Sequence, residues 1–235
     1  MIGPLGYILW IATGLLQAAV VVCAVRAKCF FRFFPLNFYM VCACIVTVGR
    51  YGVFSHYGLA STEYFYYFYY SDLLLTICLY FALTGLFTEV FREMGASKYV
   101  RTCAALVLLL TAAVSFIIVH QAQSRLFTKF VVELSQNLYF VGAVFTYLLW
   151  GAMLKLKKTQ TRLIHIVLAL GVYFNAFAAN YALYNLHPHS PFVNAVSHFL
   201  TAAMPVLLPI AWGYAFLKFP AEAQLAPVQI ATGHA

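Results

Sequence analysis

Charge is what this chain lacks most. Only 9% of its 235 residues are charged, and just six are acidic. A soluble domain carries roughly 25% charged side chains. A chain this short cannot hide 64% hydrophobic residues in a core while showing water an almost uncharged surface. Alternating strand patterns are also missing, which argues against a β-barrel. Catalytic signatures are absent as well: no H-E-x-x-H, no G-x-S-x-G and no dense carboxylate cluster. The net charge of +8 is scattered over short loops, with no basic stripe to follow a phosphate backbone, so nucleic acid is not an expected partner.

What is present is a series of apolar blocks. Roughly 20 apolar residues cross a bilayer as a helix. Seven blocks fit, at about 4–25, 36–57, 64–88, 101–120, 130–154, 163–185 and 191–217. The expected fold is therefore all-α: a polytopic bundle of seven transmembrane helices over residues 1–218, with residues 219–235 as a disordered tail.

Orientation follows from the basic residues. One side receives Arg26, Lys28, Arg32, Arg92, Lys98, Arg101, Lys155, Lys157, Lys158, Arg162 and Lys218, and the other only Arg125 and Lys129. The richer side is read as cytoplasmic, with the N-terminus outside and the C-terminus cytoplasmic. Arg26 and Lys28 directly follow the first block, as a stop signal would, so that block is read as a span rather than a signal peptide. The tail is too short and too rich in Ala, Pro and Gln to hold an effector domain. The basic loops are then the surface on which a separate cytoplasmic protein would dock.

The six cysteines are Cys23, Cys29, Cys42, Cys44, Cys78 and Cys103. They fall in or near the cytoplasmic half, so reduced thiols are expected. Cys42 and Cys44 are two apart on a helix and face different ways, which does not suit a shared metal ion. Neither a metal nor another cofactor is expected.

The stretches RAKCFFRFFPLNFY (26–39), YFYYFYY (64–70), FALTGLFTEVF (81–91) and VELSQNLYF (132–140) together resemble a family of uncharacterised bacterial seven-helix membrane proteins. In that family a basic loop leads into a Phe-Pro-aromatic-Tyr start of the second helix. A Tyr-rich entry then opens the third, which ends near an acidic-aromatic pair. The resemblance implies seven helices and the bacterial inner membrane, and it assigns no functional residue.

Ionisable residues inside a span are expensive and usually face the bundle interior. Arg50 and Asp72 both lie roughly 10–12 Å below the outer surface. Their helices share a short loop and should be antiparallel neighbours. An Arg50–Asp72 ion pair is the first structural expectation. Two readings stand beside it: a clamp that holds two helices, or the floor of an outward-facing pocket. Other polar groups gather at similar depth. Thr76 follows Asp72 by one turn, with Tyr80 next at the same spacing. Glu133 and Asn137 are four apart on helix five, Asn180 is on helix six with Asn175 deeper, and Asn194, His198 and Thr201 form a stripe on helix seven. The candidate ligand-binding set is Arg50, Asp72, Thr76, Glu133, Asn137, Asn180, Asn194 and His198. The bland reading of the same residues is interhelical hydrogen bonding.

Five histidines, His56, His120, His187, His189 and His198, lie toward the outside. They are read as interface residues, with haem, a metal or pH sensing as the alternatives. The aromatic run 64–70 is read as a belt among headgroups. Pro205 and Pro209 are read as a kink or a hinge in the last span.

These features rank the function classes. A retinal protein is excluded, because the last span has no lysine before Lys218. An intramembrane enzyme using Asp72, Glu133 and His198 is a remote alternative. A receptor-like or sensory membrane component with an outward polar cavity, open to a small-molecule ligand, leads. A small-solute transporter comes next: GRYGVFSHY (49–57) aligns loosely with ANYALYNLH (179–187), which suggests three-plus-one-plus-three helices. A structural membrane subunit is third.

Overall fold

In lipid a long apolar run has one satisfactory local backbone, the helix, because each N–H finds a carbonyl four residues back. The computed structural model describes residues 4–28, 30–92, 95–120, 126–156, 161–187 and 190–218. All regular structure among them is helical: α1 (Pro4–Arg26), α2 (Phe34–Tyr57), α3 (Thr62–Val90), α4 (Ser97–His120), α5 (Leu126–Lys155), α6 (Thr161–Leu186) and α7 (Pro191–Lys218). Helices α2 to α7 are long and apolar enough to cross a membrane, while the apolar stretch of α1 runs Trp10–Arg26. Several helices begin before the apolar blocks do. α4 takes in Lys98 and α5 takes in Lys129, because a helix continues past the hydrocarbon into the headgroup layer that hydropathy does not register.

Local signals set the ends. Ser61 caps α3 by accepting the Tyr64 N–H at 3.1 Å, and Glu63 sits favourably in the first turn. Pro35 occupies the first turn of α2, where no donor is missed. Gly58 closes α2 at φ +81°, a conformation that favours glycine. Pro205 and Pro209 do not interrupt α7, which runs unbroken from Pro191 to Lys218.

Helices α1, α2, α3, α5, α6 and α7 pack in that order, and α7 returns to α1, so the six close into a ring. α3 also touches α6 across it. α4 leans on α3 and α5 from outside, and its Leu106, Leu109, Leu110 and Ile117 are exposed. The largest apolar core joins Leu36 and Met40 of α2, Leu83 and Leu86 of α3, Leu149 of α5 and Trp212 of α7. A smaller one holds α4: Tyr80 packs with Ala104, Leu134 and Leu138, and its hydroxyl donates to the Ala104 carbonyl at 2.7 Å. Cys42 meets Cys78 of α3, while Cys44 turns to the Gly14 carbonyl of α1, so the two thiols do point apart.

Two contacts define the end of the bundle opposite the start of α1. Glu89, at the end of α3, accepts Arg32 of the α1–α2 connection at 3.1 Å and lies 3.4 Å from Arg92. Arg162, at the start of α6, is buried and donates to the Phe216 carbonyl of α7 at 3.5 Å. The sequence places Arg162 in the loop before the sixth apolar block. It is instead a clamp between two helices, because its long stem reaches past the first turn of α6 to the last turns of α7. Half-exposed ion pairs contribute little and are screened. Glu89→Gln is therefore expected to cost about 0.2–1 kcal/mol in low salt and less in high salt, read from detergent unfolding at the two ionic strengths.

Lys157, Lys158, Arg125, Cys29, His189, the tail 219–235 and the side chain of His198 lie outside the described residues.

Candidate functional site

Successive residues on a helix turn by about 100°, so neighbours in sequence address different neighbours in space. Ser71 and Asp72 show this on α3. Ser71 faces α2. Its hydroxyl accepts the Arg50 Nε–H at 3.0 Å and donates to the Phe68 carbonyl at 3.0 Å. Arg50 Nη2 donates to the same carbonyl at 3.2 Å, and the guanidinium carbon lies 4.3 Å from the centre of the Phe68 ring. Arg50 is thus held by a hydroxyl, a carbonyl and a π face.

Asp72 faces α5 instead. The Ser135 hydroxyl donates to its Oδ2 at 2.8 Å. Thr76 donates to the Asp72 backbone carbonyl at 2.8 Å and lies 3.1 Å from the Ser135 hydroxyl. Thr76 and Ser135 are buried, whereas Asp72 keeps part of its surface accessible. The expected Arg50–Asp72 ion pair is therefore not formed. The two charges interact through space without touching, because each is turned to a different side of α3.

Tyrosines surround this carboxylate. Tyr39 of α2, Tyr69 of α3, Tyr139 of α5 and Tyr173 and Tyr181 of α6 all lie within its electrostatic reach. They also pack on one another. Tyr139 stacks on Phe177 at 4.9 Å and lies 5.7 Å from Tyr181, and Tyr173 lies 4.8 Å from Phe177. The Tyr39 and Tyr173 side chains approach each other between α2 and α6. Four helices thus contribute phenols to the space around one acid.

The remaining candidates lie elsewhere. Asn137 donates to Ser115 of α4 at 2.9 Å and to Glu133 at 3.4 Å, a node that ties α5 to α4. The pair is two residues out of phase with Ser135 and so addresses another side of α5. Asn180 is buried, and its amide oxygen has no hydrogen-bond partner among the described residues. Asn194 is exposed on α7, as is Thr201. Asn175 accepts from the exposed Tyr147 hydroxyl. Tyr80, expected to continue the Asp72–Thr76 stripe, reaches α4, because eight residues carry it about 80° past Asp72. Of the seven candidates whose side chains are described, only Asp72 and Thr76 come together around Ser135. A cavity of about 470 Å³ opens elsewhere, between α6 and α7, and none of those seven lines it.

Sequence reasoning missed Ser135, Tyr39, Tyr139, Tyr173 and Tyr181. A signal existed. Ser135 and Tyr139 are four apart, and Tyr173, Phe177 and Tyr181 repeat at the same spacing. In a chain with 17 tyrosines, however, such a stripe does not stand out. Comparison with family models, with curated proteins and with solved structures gives no match.

Proposed function

We propose that this chain is a receptor-like or sensory membrane component. In this reading it crosses the cytoplasmic membrane of a bacterium seven times, with the N-terminus outside. Its ligand is a small organic cation received at Asp72 from the outer side. One observation carries the reading: a carboxylate about ten residues, or roughly 15 Å, into α3 has no basic side chain in contact with it among the described residues. Charges at such depth are costly and mark functional sites by default. Ser135 supplies one donor to this acid, leaving further lone pairs for a protonated amine. Tyrosine faces attract the same cation. A separate protein docking on the basic cytoplasmic loops would carry the signal.

Transport is the second reading, favoured by the packing pattern. α1–α2–α3 and α5–α6–α7 make the same internal contacts, and α3 meets α5 as α7 meets α1. That is the arrangement of two parallel three-helix halves joined by a peripheral α4.

The test is a thermal-shift screen of small amines on detergent-solubilised protein, wild type beside Asp72→Asn. A ligand at a hundred times its dissociation constant stabilises the fold by about 2.7 kcal/mol. The expected result is an amine that stabilises wild type and not the variant. Equal stabilisation of both would remove Asp72 from the site. Uptake of that amine by reconstituted vesicles would move the assignment from sensing to transport.

A further inference from the structure

The groove between α6 and α7 has a chemistry of its own, meeting the phenols around Asp72 only at Tyr173. Its walls include Leu168, Ala169 and Val172 of α6 and Leu207, Leu208 and Ala211 of α7. Leu168, Val172, Leu207 and Ile210 are exposed, so the groove opens on the outside of the bundle, where the lipid is. On α7 the lining runs from Met204 to Tyr214, ten residues or about 15 Å. That is the depth of one leaflet of a hydrocarbon core roughly 30 Å thick.

The groove differs at its two ends. Toward the middle of the bundle it closes on Tyr173 and Met204. At the other end stand His165 and Tyr214, and cations gather beside them. Lys218 Nζ lies 5.2 Å from the centre of the Tyr214 ring, and the Lys218 side chain is exposed. Arg162 lies one turn before His165, over the Phe216 ring at 5.9 Å. Lys218 is the last residue of α7, at headgroup level for a helix of 28 residues.

We propose that this groove seats one acyl chain of an anionic phospholipid, whose phosphate rests on Lys218 at the mouth. The argument joins three features: an apolar trough of about 470 Å³, a length matching one leaflet, and positive charge at the end where the headgroup must lie. A zwitterionic lipid would fill the trough equally well, but its own ammonium group would offset the phosphate that Lys218 meets. The lysine therefore sets headgroup preference, and the trough sets retention. The proposal does not rest on a ligand at Asp72.

The experiment uses the full chain in detergent, titrated with phosphatidylglycerol and phosphatidylcholine of identical acyl chains, with bound lipid read by native mass spectrometry. Wild type is expected to prefer phosphatidylglycerol by about fivefold, the effect of one basic residue near an anionic surface. Lys218→Gln should abolish the preference, weakening phosphatidylglycerol by about fivefold more than phosphatidylcholine. Ala211→Phe, which fills the trough, should weaken both. Equal affinity of wild type for the two lipids would overturn the proposal, as would a preference that survives in Lys218→Gln or full binding in Ala211→Phe. Should Ala211→Phe fail to fold, Lys218→Gln, at an exposed helix end, carries the test alone.

Discussion

Gly142→Ala is expected to be the most damaging single methyl in the protein. The added Cβ would stand against the Phe174 ring, close enough to force it aside. Phe174 is fully buried, with Tyr139 and Tyr173 around it, so the ring has no free direction. Overpacking of this kind costs about 1–3 kcal/mol, occasionally more. The upper part of that range is expected, because α5 and α6 must separate or the phenols around Asp72 must shift. Gly171→Ala is the control. Its Cβ would meet Thr146 at an ordinary 3.6 Å, so the change should be neutral or gain up to about 1 kcal/mol from helix propensity. Gly49→Ala falls between: it meets the hydroxyl end of Tyr67, a half-buried side chain that can swing away. Unfolding free energies in mixed micelles rank the three. A Gly142→Ala protein as stable as wild type would mean that the α5–α6 contact is looser than described.

The second large contrast concerns Arg50. Breaking a buried ion pair by removing one partner costs about 3–5 kcal/mol, because the other charge is stranded. Arg50 is not so paired. Its acceptors, the Ser71 hydroxyl and the Phe68 carbonyl, already bond to each other at 3.0 Å, so neither is orphaned when the guanidinium leaves. Arg50→Leu should therefore cost about 1.5–3 kcal/mol, the scale of a hydrogen bond to a charged group, with no stranded charge added to it. A loss above that range would restore the ion pair that the sequence suggested.

The helices are legible in the sequence because apolar length is a one-dimensional property, and each expected block lies within a few residues of a helix. The facing of side chains was less so. Depth along a helix placed Arg50 and Asp72 at one level, but the angle between Ser71 and Asp72 decides which neighbour each meets. That angle acquires meaning only once α2 and α5 are known to flank α3. The peripheral position of α4 has no sequence signal stronger than its plain apolar composition. Arg162 belongs to helix α6, although a basic residue before an apolar block reads as loop. The cysteine reading fared better: Cys42 and Cys44 needed only their own helix to predict divergent facing.

Two double-mutant cycles in one unfolding assay examine the core of this account, that the α3 carboxylate is bound to the α5 serine and not to the α2 arginine. Asp72→Ala with Ser135→Ala should give a coupling of about 1.5–3 kcal/mol, the worth of a hydrogen bond to a charged group. Asp72→Ala with Arg50→Leu should give a distinctly smaller one. The reverse order of the two couplings would contradict it.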